Sequence, residues 1–379
     1  MLLHYQDPAK LKTRKIVFED TYAASDSFTL EQLKELSSKR RLIEDSINES
    51  SSITDAIARE MAGGLTSHTE QVLYKLEQYL PLLENFIFHV DKVSGNFQIA
   101  QWASDLKIRW TSALISSSGL KLRGPKFFQM DNLRFELSMT TFLYGAILRQ
   151  RALELLPVDL VESTTLFRQA AGVYHYLAHE VLPSLQPSLA VEKPPEVVSS
   201  LSFVLRLICL ADAQAVTIRK AEEKGTTSGL LAKLHHGVAE LLDEAAAVLD
   251  TTKIECKNIC SQIVEFVSCC RALHELRSRK FVAENLKTAS QMGFSIGVLR
   301  QALIDVRRKL PSKESWKSIF KKEMDEVAEF LRKLEHENTF IWNERVPSSD
   351  ELPIPEGNKI VNIIPYHPKR WEREIFFKL

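Results

Sequence analysis

Apolar residues recur every three to four positions along most of this chain. Val72, Leu73, Leu76, Leu80 and Leu83 share one face of a helix predicted over 67–93. Trp316, Phe320, Met324, Val327, Leu331 and Leu334 form a second such stripe over 315–338. The same period predicts helices at roughly 128–156, 160–186, 196–224, 227–250, 253–279 and 281–309. Thr29-Leu30-Glu31-Gln32 reads as a capping-box start for a helix reaching about Glu49. Pro81 interrupts an otherwise continuous pattern and is expected to end or kink its helix, because it lacks an N–H and crowds the preceding turn.

Between Asn96 and Lys126 the period changes. Leu106, Ile108 and Trp110 alternate, which predicts a strand and a small sheet, and Ile16-Val17-Phe18 is a candidate second strand. The later breaks are short: Pro157, the proline-rich segment PSLQPSLAVEKPPE, Lys224-Gly225-Thr226, Leu249-Asp250-Thr251 and Lys309-Leu310-Pro311. Short breaks between long amphipathic helices make sequence neighbours antiparallel. Pairs spaced about 30 to 40 residues apart resemble tetratricopeptide stacking. The fold class expected is therefore mainly α: a curved antiparallel helical solenoid with a small N-terminal sheet. It is read as one domain over 1–379, with strands and helices in 1–126, the solenoid in 127–338 and an extended tail packed on the body in 339–379.

The 379 residues carry 49 basic and 49 acidic side chains, a balance that lacks the basic face of a general nucleic-acid binder. The N-terminus has no signal-peptide core, and the apolar run at Leu207–Leu210 is too short to cross a bilayer, so a cytoplasmic location is expected. Cys256, Cys260, Cys270 and His274 are metal-ligand types, but one continuous helix would spread them over about 27 Å, too far for one zinc. With Ile263 and Val267 they read as an apolar core stripe. His235 and His236 diverge by about 100° on a helix, which favours surface or cap roles.

No phosphate loop, dinucleotide fingerprint, nucleophile elbow or Asp-Asp pair is present, so no catalytic site, metal or cofactor is expected. The basic clusters Arg277-Ser278-Arg279-Lys280, Arg307-Arg308-Lys309 and Lys321-Lys322 read as macrodipole partners near helix ends or as charged helix faces. Weak contact with anionic lipid is the alternative.

Two segments are more distinctive. In ADAQAVTIRKAEEKGTTSGLLAKLHHGVAELLDEAAAVL, from Ala211 to Leu249, an A-x-A-Q-x-V helix precedes one that opens with paired aliphatics and A-K-L. The other is ENTFIWNERVP, from Glu337 to Pro347, with its PIPEG continuation. Together with Lys107-Ile108-Arg109-Trp110, Phe135-Glu136-Leu137 and Ala170-Ala171-Gly172-Val173-Tyr174, they resemble the BRO-type domain of Alix-like and BROX-like endosomal proteins, nearest the single-domain members. The order and spacing of these segments, from the N-terminal strands to about Pro368, carry the resemblance.

The resemblance implies a non-enzymatic adaptor that is cytoplasmic and transiently peripheral on endosomes. Its concave groove would take the C-terminal amphipathic helix of an ESCRT-III subunit in multivesicular-body sorting. The implied groove positions are Thr217, Leu230 and Leu234, flanked by Lys220 and Lys233. Leu230 and Leu234 are i and i+4 and share a face, a layout that serves a helix-binding groove and solenoid packing alike. Two departures stand out: Thr217 replaces a bulkier aromatic of some members, and Val161 falls near a cationic groove position. No cysteine lies near the C-terminus for prenylation. A tetratricopeptide-like scaffold for another peptide or protein is the competing expectation. In ENTFIWNERVP, Phe340 and Trp342 are expected to pack the tail onto the body, with Glu344 and Arg345 fixing the turn.

Overall fold

The computed structural model describes residues 2–5, 7–48, 67–115, 125–185, 192–255 and 259–379. Helices α1 (Ser27–Asn48), α2 (His68–Lys92) and α3 (Phe97–Asp105) precede a hairpin of strands β1 (Ile108–Thr111) and β2 (Phe127–Met130). Next come α4 (Leu133–Leu155), α5 (Leu160–Tyr176), α6 (Ser199–Glu223) and α7 (Ser228–Glu255). Helices α8 (Ser261–Thr288), α9 (Met292–Arg307) and α10 (Glu314–Glu337) complete the solenoid. From α4 to α10 each helix packs on its successor, so the expected antiparallel stack is what forms. α6 is long and apolar enough to cross a membrane by composition, but it is mostly buried as the central helix of this core.

Local chemistry sets most boundaries. Ser67, Asn96, Asn132 and Asp159 cap α2, α3, α4 and α5 by accepting backbone N–H groups of the first turn. At α1 the acceptor is Asp26, which takes the Thr29 N–H at 2.7 Å, and Thr29 lies inside the first turn rather than starting the helix. α2 runs unbroken through Pro81. Phe127–Met130, expected as helix, is β2; it pairs antiparallel with β1, Trp110 opposite Phe128.

Ile16–Phe18 forms no strand, since the Phe18 N–H is taken by the Ser37 hydroxyl at 2.8 Å; the N-terminal segment meets β1 further back, at an isolated Thr13–Trp110 bridge. α8 continues to Thr288 and breaks at Ser290, in the left-handed region at φ 58°. Arg277, Arg279 and Lys280 therefore lie inside a helix. They pair with Glu323, Asp305 and Glu326 of the next two helices instead of compensating a helix end.

Two buried ion pairs fasten the layers. Arg40 of α1 and Glu136 of α4 are wholly buried, with Nε 2.5 Å from Oε1. The same carboxylate accepts the Trp110 indole N–H at 2.7 Å and the Tyr79 hydroxyl at 3.2 Å, joining β1 and α2. Arg149 of α4 meets Asp212 of α6 at 2.8 Å. Removing one partner of such a pair leaves an unpaired buried charge, which costs about 3–5 kcal/mol.

Residues beyond α10 cross the solenoid as an extended strap. Its backbone passes α9 at Gly293, α7 at Gly237 and α5 at Gly172, where a Cβ would stand 2.1 Å from the Arg345 oxygen, 2.4 Å from the Asn358 oxygen and 1.8 Å from the Ile364 oxygen. Farther on, Trp371 N–H reaches the Pro81 carbonyl at 3.4 Å and Phe376 N–H reaches the Thr29 hydroxyl at 3.1 Å. The start of the strap departs from expectation. Phe340, Ile341 and Trp342 are 72%, 68% and 46% exposed and do not dock the tail. A polar clasp does so instead. Asn343 adopts a left-handed φ of 52°. Asn338 bonds both backbone groups of Glu344 at 3.0 Å, and the Glu344 carboxylate accepts the Gly293 N–H at 2.7 Å. Arg345 forks onto Glu351 at 2.6 and 2.9 Å.

Glu196, just before α6, is fully buried and accepts the N–H groups of Ala113 at 2.7 Å and Leu114 at 3.2 Å. Burial pushes its pKa up to about 7 despite those donors. The native state then binds more protons than the unfolded chain between about 4.5 and about 7, so this group's stabilisation is lost as pH rises through that window. Glu196→Gln is expected to gain stability relative to the wild type between about pH 5 and about pH 8 in urea titrations; a constant difference would contradict this. Gly172→Ala is expected to cost about 1–3 kcal/mol by prying up the strap, with faster amide exchange at Ile364. Gly95→Ala, whose Cβ meets nothing within 4 Å, serves as the neutral control.

Candidate peptide-binding groove

The implied groove positions lie where α6 turns into α7. The turn is possible because Gly225 takes φ 73°, which returns α7 antiparallel along α6. Thr217 and Lys220, on the last two turns of α6, are half-buried, and the Thr217 hydroxyl donates back to Ala213 O at 2.9 Å. On the first turns of α7, Leu230 is 41% exposed and Lys233 is exposed, while Leu234 is 3% exposed and belongs to the core. The five positions thus fall on neighbouring turns of two packed helices, but they divide by depth. Leu230 is the apolar side chain open to a ligand, and Leu234 packs beneath it.

The strap runs beside these positions. Lys233 O accepts the Asn358 N–H at 3.0 Å. Gln214, one turn before Thr217 and fully buried, makes a three-way bracket: its Nε2 donates to Leu234 O and to Asn358 O at 2.8 Å each, and its Oε1 accepts the Ile360 N–H at 3.0 Å. On α5, the Arg168 Nε donates to Asn362 O at 2.8 Å and the Arg168 backbone carbonyl accepts the Ile364 N–H at 3.0 Å. One edge of the face is therefore a held backbone rather than a free loop. Lys359 rides on that edge, 3.9 Å from Glu244. Val161, at the start of α5, is 54% exposed and contributes apolar surface, not charge.

Sequence reasoning missed Gln214, Gly237 and Asn358. A signal was present: a glutamine and an aspartate inside a long, largely apolar helix must have buried partners.

The other candidates resolve differently. Cys256 lies outside the described residues; Cys260 precedes α8 instead of sitting within a helix, while Cys270 and His274 are buried in α8. His235 is buried rather than at the surface, its Nδ1 3.0 Å from the Nδ1 of His274, and burial lowers the pKa of both. His236 is half-buried, 3.9 Å from Glu240. No group of metal-ligating side chains converges among the described residues.

An antiparallel helical solenoid, closed by a C-terminal strap laid over glycines, is the architecture that these contacts define. The chain belongs to the BRO1-like domain family, whose profile matches residues 33–379. The BRO1 domain-containing protein BROX of Xenopus tropicalis is 23% identical over 331 residues, covering 83% of this chain and 77% of the relative. Among solved structures, the ALIX BRO1 domain in complex with CHMP4C superposes with a TM-score of 0.68 at 19% identity, over 94% of both chains. A Bro1 domain whose structure was described as a basis for endosomal targeting gives 0.69 at 16% identity, over 96% of this chain and 93% of that one. ALIX bound to a viral late-domain peptide gives 0.72 at 18% identity, over 97% of this chain and 49% of the longer protein.

Replacing Gln214 with leucine is expected to cost about 1–3 kcal/mol, because it strands buried polar groups on the strap and on α7. Chemical denaturation measures the loss; an unchanged midpoint would mean that the bracket is not needed.

Proposed function

We propose that this chain is a non-enzymatic, cytoplasmic adaptor that takes the C-terminal amphipathic helix of an ESCRT-III subunit and is recruited transiently to endosomal membranes. The observation that carries the proposal is the Leu230 face: an open apolar side chain flanked by Lys220 and Lys233, on a rigid two-helix platform edged by the strap. An amphipathic helix docks by inserting apolar residues at i, i+3 and i+4 into such a face while its acidic side chains meet the cationic rim. The solved ALIX complex with CHMP4C supports the choice of partner, as it is a complex of the same fold. Thr217 offers less apolar area than an aromatic, so Leu230 and Val161 would carry more of the contact.

Burying a leucine is worth roughly 1.5–3 kcal/mol, and 1.4 kcal/mol is about tenfold in affinity. Leu230→Asp is accordingly expected to weaken binding of ESCRT-III tail peptides, CHMP4C among them, by at least about tenfold with an unchanged melting temperature. Leu234→Asp buries a charge in the core and is expected to unfold the helix pair, so it does not report on the groove. Binding of every tail peptide that survives Leu230→Asp would overturn the assignment. If no tail binds the wild type, the partner class is wrong.

A further inference from the structure

Where the strap passes from α5 toward α2 it leaves a cleft of about 410 Å³ between α2, α4, α5 and itself. The cleft is lined by other residues than the Leu230 face, and its size falls within the roughly 300–1,000 Å³ of ligand pockets. Three aromatic rings and two prolines wall it: Tyr144 of α4, Pro81 of α2, and Pro365, Tyr366 and Trp371 of the strap. The Tyr144 and Tyr366 ring centroids are 5.9 Å apart with planes tilted by 58°, so the rings stand as ridges and do not stack flat. The Trp371 backbone is held at Pro81, but its indole N–H finds no acceptor among the described residues. At the α2 rim stands the exposed carboxylate of Glu77, which accepts the Tyr144 hydroxyl at 3.1 Å. Lys369 lies on the strap side of the same rim.

We propose that this cleft binds a proline-rich peptide in the polyproline II conformation, oriented by a flanking arginine or lysine at Glu77. A polyproline II helix has three residues per turn and no internal hydrogen bonds, so its carbonyls remain free to accept. Aromatic ridges receive its proline rings, and a tryptophan N–H supplies the donor that its own backbone lacks. Because the helix is preformed, little conformational entropy is lost on binding, which is why aromatic-lined grooves recognise it. Lys369 repels a cation at the strap end and directs it to the α2 end. The cleft lies on a rigid base, because Tyr366 also packs on Tyr176 of α5 at 5.1 Å between ring centroids.

The test is fluorescence anisotropy of a dye-labelled decaproline carrying one flanking arginine, titrated with the full chain. Saturable binding is expected, with none for a glycine–serine peptide of equal length. Trp371→Phe removes the indole donor and keeps an aromatic face. One net hydrogen bond of about 0.5–1.5 kcal/mol makes the expected weakening roughly twofold to tenfold. Glu77→Gln is expected to abolish the preference for the arginine peptide over its glutamine counterpart. Glu77→Gln is exposed and nearly isosteric and should retain the wild-type melting temperature; Trp371→Phe trims a half-buried ring, so its binding is compared well below its own melting midpoint. Absence of saturable binding to the wild type, equal binding of the glycine–serine peptide, or binding indifferent to both substitutions would each overturn the proposal.

Discussion

The strap can lie on the solenoid because side chains are missing beneath it. Helices normally keep a neighbouring backbone at arm's length, since every residue but glycine carries a Cβ. At Gly172, Gly237 and Gly293 the strap carbonyls occupy the space that a Cβ would need. This close approach lets strap N–H and C=O groups reach the Gln214 amide and the carbonyls of Lys233 and Arg168. An extended segment has no hydrogen bonds of its own, so its buried polar groups must find partners in what it crosses. Glycine spacing on α5, α7 and α9 thus fixes the path of a segment far away in sequence.

The same contacts explain why the most recognisable segments are recognisable. Trp110 and Glu136 meet each other in the buried cluster around Arg40. In the A-x-A-Q-x-V helix the first variable position holds Asp212, which neutralises Arg149, and the glutamine is the bracket of the strap. In ENTFIWNERVP the polar residues Asn338 and Glu344 close the turn while the aromatics face out. These residues specify the frame. A buried polar group tolerates few replacements because its partner is left unsatisfied, whereas an exposed apolar contact can be exchanged for another of similar area. The frame is accordingly legible as a family pattern, and the Leu230 face, with Thr217 and Val161, is the more permissive part.

The strap also couples the frame to the face. The carbonyl that anchors Asn358 belongs to Lys233, whose side chain is one of the two rim cations, and Gln214 lies one turn from Thr217. In the proposed groove, holding that backbone rigid would spare a docking peptide the entropy of ordering one edge of its site.

Helical periodicity by itself determined that the chain is an antiparallel solenoid, and it placed the apolar stripe of α10, because a 3.6-residue repeat of large side chains has one way to be buried. Proline and glycine breaks located several helix boundaries, whereas the cap of α1 is Asp26 and not the Thr29 that the capping pattern suggested. Short strands, and helix ends without glycine or proline, escaped. β2 is four residues long, and α8 runs past Lys280 since nothing in its sequence stops it before Ser290. Depth was decided by tertiary structure alone. Leu230 and Leu234 are equivalent on a helical wheel, yet only the packing of α7 against its neighbours buries one and leaves the other open. The aromatics of ENTFIWNERVP likewise follow a packed stripe in sequence, yet they lie exposed on the π-helical turn Asn338–Trp342 that ends α10, after which left-handed Asn343 redirects the chain. Periodicity is a property of one element, whereas burial is a property of what lies against it.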